Sequence, residues 1–113
     1  MHAWWRYRYT GDVAWLHSHA YPLLRGVAKF YRTYCRQDED GCWHIHNTNA
    51  HEDFWGVTDS IMDLAAIRGA VPLAIRAAEL LNVDAELRGE WQAFLDELAF
   101  RVRPNPNQPA LVE

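Results

Sequence analysis

Apolar residues recurring at spacings of three and four constrain this chain more than any other feature. From Asp12 to about Arg36 they fall at Leu16, Ala20, Leu23, Val27, Phe30 and Tyr34, the stripe of an amphipathic helix. Asp12, just after Gly11, is placed to cap that helix. Pro22 has no backbone N–H, so it either kinks the helix or splits it into a short first piece and a longer second one from near Tyr21. A second stripe runs through Ile61, Leu64, Ile67, Val71, Ile75, Ala78 and Leu81, with Thr58 or Asp59 as its cap and Pro72 as a kink. The run "NVD" ends it. Asp84 then caps a third helix whose inner face carries Leu87, Trp91, Phe94 or Leu95, and Leu98.

These patterns predict an all-α fold of three main helices. "HAWWRYRY" before Gly11 reads as the last turns of a further helix, which would not hold by itself, so we expect a piece of a larger helical domain over residues 1–103. "RPNPNQPALVE" is proline-rich, and residues 104–113 are expected to be extended or disordered. Between the first two long helices, the acidic run ending at Gly41 reads as a turn and "CWHIH" permits a short extended segment. The polar stretch onward to Gly56 is a long loop.

Bulk properties narrow the function. A chain of 113 residues allows one domain at most. The net charge of −4, with scattered basic residues, argues against a nucleic-acid partner. Every apolar run is broken by charge well short of a membrane span. Cys35 and Cys42 flank the acidic turn and read as free thiols. Six Trp, five Tyr and four Phe are dense for a small domain; flat rings with polar edges suit sugar binding as well as cores.

The loop "HIHNTNAHEDFW", residues 44–55, concentrates the chemistry and admits three readings. His44 and His46 alternate, so an extended backbone would turn both rings one way, with His51 or Asp53 completing a zinc-type site; no fixed local ligand motif supports a metal, and none is expected. Glu52, beside Asp53 and against Phe54 and Trp55, is a carboxyl whose charged form would be disfavoured, as a general acid requires. The third reading is a polar connection between helices. Ser18 and Ser60 lack the turn of an activated serine, and no phosphate-cradling glycine loop points to a cofactor.

Three stretches carry a family resemblance. Trp4, Tyr7, Thr10, Gly11, Asp12, Leu16, Ala20, Tyr21, Pro22, Gly26 and Phe30 stand in the register W-x-x-Y-x-x-T-G-D, Leu, A-Y-P-hydrophobic-x-x-G-x-x-x-F. "HNTNAHED" follows, and then "IMDLAAIRGAVPLAIRAAELLNVDAELRGEW". Together they resemble glycoside hydrolase family 95, the α-L-fucosidase-like enzymes, over roughly residues 4 to 100.

The resemblance implies an (α/α)6 toroid of six helical hairpins that hydrolyses glycosidic bonds with inversion. Its general acid matches Glu52, and His51, Asp53, Phe54, Trp55 and Asn49 become expected substrate contacts. His51 and Asp53 stand where the family has Pro and Asn. The family's water-activating asparagines lie in other segments, and Asn47 and Asn49 do not match them. A single acid implies no activity for the isolated chain. The expected partners are a carbohydrate in a full-length parent and, through exposed barrel surfaces, the chain itself. The competing reading is a non-enzymatic helical interaction module with Trp55 and Trp91 as anchors.

Overall fold

The computed structural model describes residues 1–49 and 55–99. The fold is all-α. Helix α1 (His2–Thr10) ends at Gly11, whose φ of 65° lets its N–H turn back to the Tyr7 carbonyl. Asp12 accepts from the Trp15 N–H and caps α2 (Val13–Trp15), as its position predicts. A π-helical turn, Leu16–Ala20, leads into α3 (Tyr21–Tyr34), with Pro22 in the first turn where no N–H is needed. Strands β1 (Arg36–Gln37) and β2 (Trp43–His44) form a two-residue antiparallel ladder, so "CWHIH" is indeed extended at its start. Helix α4 (Ile61–Leu81) runs on through Pro72, and α5 (Ala85–Asp96) follows.

The π turn corrects the expected face of α3. The N–H of Tyr21 reaches the Leu16 carbonyl five residues back, which adds one residue to the turn. Leu16 and Ala20 are buried as expected. Beyond them the buried set moves on by one, to Leu24, Ala28 and Cys35, with Tyr31 packed against it. Leu23, Phe30 and Tyr34, expected inside, are exposed by 59%, 57% and 40%.

Helix α4 keeps its predicted stripe. Leu64, Ile67, Val71, Ile75 and Ala78 are buried, Ala74 and Ala77 widen the face, and only Ile61 at the first turn stands outside. It packs against both α3 and α5, and Trp91, Phe94 and Leu98 close the core from the α5 side.

Two caps differ from expectation. Ser60, not Thr58 or Asp59, accepts from the Asp63 N–H at the start of α4. Asp84 precedes α5 with φ 51° and makes no side-chain cap bond. Its Oδ2 instead accepts from the Tyr21 hydroxyl at 2.5 Å and the Arg25 Nε at 3.2 Å, joining the start of α5 to the start of α3. That arrangement draws the Asp84 carboxyl below its usual range, chiefly through the Tyr21 hydroxyl, and burial first and then Asp84 raises the Tyr21 phenol.

Both cysteines are free thiols; burial, with Asp59 and Asp63 nearby, pushes Cys35 up to about 12. Among the described residues no helix is long and apolar enough to cross a membrane. The tail from residue 104 lies outside the described residues.

Candidate functional site

The segment between α3 and α4 is a loop with a fixed base. β2 hydrogen-bonds on two sides: to β1, and to the end of α5, where the Trp43 N–H meets the Glu97 carbonyl at 2.8 Å and the Ala99 N–H meets the Trp43 carbonyl at 2.8 Å. Arg32 lies over the Trp43 ring at 4.0 Å and Phe94 meets its edge, so the strand is pinned through its side chain as well. Ile45 follows, 2% exposed. Thr48 and Val57 then exchange both backbone hydrogen bonds, at 3.1 and 2.8 Å, and bring the outgoing and returning limbs together.

The returning limb is held by carboxylates. Asp59 accepts the Ile45 N–H at 3.0 Å on Oδ1 and meets His44 Nδ1 at 2.5 Å on Oδ2, while its own N–H donates to the Ile45 carbonyl. Asp63 Oδ2 accepts the hydroxyls of Thr48 and Ser60, each at 2.6 Å. The Tyr34 hydroxyl donates to the carbonyls of His46 and Asn47. Asn47, Gly56 and Asp59 all have left-handed backbones, with φ of 57°, 66° and 53°. For the two non-glycine residues that costs about 1–2 kcal/mol each, which the surrounding hydrogen bonds offset.

The histidines bind acids. His44 Nε2 lies 2.7 Å from Asp40, and His46 contacts Asp38 at 2.9 Å and the Thr58 hydroxyl at 3.2 Å. A neutral imidazole has one N–H to donate, so two carboxylates on one ring favour the imidazolium. The Asp59 hydrogen bond is the main cause of a raised His44 pKa, Asp40 adds to it, and burial opposes both. Asp40 is lowered, first by the Cys42 N–H and then by His44. Among the described residues no cluster of His, Cys, Asp or Glu is arranged to hold a metal ion.

A cavity of about 280 Å³ opens beside the outgoing limb, lined by Phe30, Tyr31 and Tyr34 of α3, Ile45, Asn47, Thr48 and Asn49 of the limb, and Asp63 of α4. Of the expected site residues, Asn49 lines this cavity and Trp55 stands 75% exposed on the returning limb. Glu52, His51, Asp53 and Phe54 lie outside the described residues.

Sequence reasoning missed Asp38, Asp40 and Asp59 as histidine partners and Phe30, Tyr31, Tyr34 and Asp63 as cavity walls. One signal was available. Asp38 and Asp40 stand in the acidic turn just before His44 and His46, so a chain that folds back at Gly41 keeps these carboxylates within reach of the two rings.

A sequence model of the glycosyl hydrolase family 95 catalytic domain matches residues 1–105. The chain belongs to this family. It is 29% identical over 91 residues to a kojibiose hydrolase of Mucilaginibacter mallensis, covering 80% of this chain and 13% of that protein. A kojibiose hydrolase of Flavobacterium johnsoniae is 29% identical over 98 residues, covering 85% of this chain and 14% of that protein. The family-95 chain thus spans about a seventh or less of these relatives. It is a glycoside hydrolase catalytic-domain segment.

Proposed function

We propose that this chain supplies the general-acid loop of an inverting, α-L-fucosidase-like glycosidase built as an (α/α)6 toroid. Glu52 protonates the departing glycosidic oxygen while a water attacks the opposite face of the sugar. The observation that carries this reading is the position of Glu52: it lies between Thr48 and Val57, whose paired backbones close the loop, inside a chain that the family model matches almost throughout. Asn49, His51, Asp53, Phe54 and Trp55 are its substrate contacts. The groups that activate the water belong to other segments of the domain, so the isolated chain turns over no substrate. Leu23, Ile61 and Met62 expose apolar surface through which it self-associates.

The test is a chimera in which residues 1–105 replace the matching segment of the Flavobacterium relative. Glu52→Gln should lower its turnover by about two to four orders of magnitude on sugars with poor leaving groups, and less on activated aryl glycosides. Unchanged turnover in an active chimera would remove Glu52 from the role.

A second reading of specificity has its own support. Both relatives are named for kojibiose, so a glucose disaccharide is the alternative substrate. Side-by-side assays of kojibiose and an α-L-fucoside on the chimera separate the two. The interaction-module reading draws on the same exposed apolar residues; it requires a discrete oligomer with cooperative unfolding on sedimentation and melting, and no turnover in the chimera.

A further inference from the structure

The cavity beside the outgoing limb has a composition that the acid assignment does not use. Phe30 and Tyr34 are stacked, with centroids 5.7 Å apart and planes 25° apart, and both are substantially exposed, so their ring surfaces are open to a ligand. Tyr34 cannot swing away freely, because its hydroxyl is committed to the His46 and Asn47 carbonyls. Around these rings stand polar groups with spare capacity. Among the described residues, the Tyr31 hydroxyl, the side-chain amides of Asn47 and Asn49, and Asp63 Oδ1 make no hydrogen bond, whereas Asp63 Oδ2 is taken by Thr48 and Ser60. The Tyr31 phenol is raised by burial and then by Asp63, so it stays protonated and able to donate.

We propose that this cavity is a carbohydrate subsite that takes one neutral pyranose unit, stacked against Phe30 and Tyr34 and hydrogen-bonded by Tyr31, Asn49 and Asp63. Each element of the lining matches part of such a ligand. A sugar hydroxyl both donates and accepts, and here it meets a phenol donor, amides of both kinds and a carboxylate acceptor. The C–H face of the ring packs on aromatic faces. A volume of about 280 Å³ lies just below the usual range for drug-sized ligands, which suits one ring better than a chain of them. The lining contains a carboxylate and no cation, so uronic acids and sulfated sugars are disfavoured. The choice of a sugar rests on the glycosidase reading; the place does not require Glu52 to be the acid.

Saturation-transfer NMR on the purified 113-residue chain, titrated separately with glucose, L-fucose and glucuronate, tests the assignment. The neutral sugars should bind with dissociation constants on the order of 1–10 mM, and glucuronate at least about tenfold more weakly. Phe30→Ala and Tyr31→Phe should each weaken binding by about threefold to tenfold, with helical circular dichroism retained. Should Tyr31→Phe disturb the fold, Phe30→Ala at its exposed position and Asn49→Ala carry the same test. Absence of transfer to both neutral sugars, or binding that survives the Phe30 and Asn49 substitutions, overturns the subsite. Binding that holds while the chimera keeps full turnover with Glu52→Gln defeats the acid role alone, and loss of turnover without sugar binding by the chain defeats the subsite alone.

Discussion

Helices α3 and α4 are written in the same apolar code, and each carries a proline, yet they bury different members of it. Helix α4 turns its predicted residues Leu64, Ile67, Val71, Ile75 and Ala78 inward. Helix α3 buries Leu24 and Ala28, with Cys35 just past its end, one position beyond the predicted Leu23, Val27 and Tyr34. The difference lies upstream of α3, where the π turn at Leu16–Ala20 holds one extra residue. Periodicity therefore reports that a helix exists, while its rotation about its axis depends on how the preceding turn is wound.

Substitutions can break or sharpen this contrast. Leu24→Ala should cost about 2–5 kcal/mol in chemical denaturation, comparable to Ile67→Ala in α4, because both side chains are enclosed. A near-silent Leu24→Ala would mean that α3 is wound as an uninterrupted α-helix. His44→Gln, in the segment joining the two helices, should cost about 1–3 kcal/mol by removing charge-assisted bonds to Asp59 and Asp40.

The same residue sets a pH dependence. Folding raises the His44 pKa above the unfolded value, so its contribution is complete below about 6.5 and is lost as pH climbs through the folded pKa. Melting temperatures measured on the alkaline side of neutrality should fall with pH in the native chain, and His44→Gln should flatten that slope. At the start of α4, Ser60→Ala should cost about 1 kcal/mol in the same denaturation assay, since Ser60 is the observed cap; an equal loss with Thr58→Ala would reopen the boundary. Leu23→Ala is the smallest effect, within about 0.5 kcal/mol, because the side chain already stands in solvent.

What could be read from residues alone follows the range of the forces involved. Amphipathic stripes act within a few turns, so α3, α4 and α5 and the Asp12 cap were legible. Nothing in "LHSHA" marks a π turn, so the outward face of α3 was not. Competition for acidic side chains was equally hidden. Asp59 and Asp84 both look like helix caps, but each is claimed by a distant partner: Asp59 by His44 and Ile45, Asp84 by Tyr21 and Arg25. In the candidate site, the loop and its histidines were visible as a chemical concentration. The aromatic wall beside the loop was not, because the apolar stripe places Phe30 and Tyr34 in the core.

The pairing of Trp43 with Leu98 also bears on the order of assembly. β1 and β2 are neighbours along the chain and can meet early, whereas the other side of β2 must wait for α4 and α5 to bring Leu98 back. Closing that long excursion is entropically costly until helix packing has already shortened it. The frame around the loop is thus completed after the helical body, and a change that slows the docking of α5 should delay the site more than the helices.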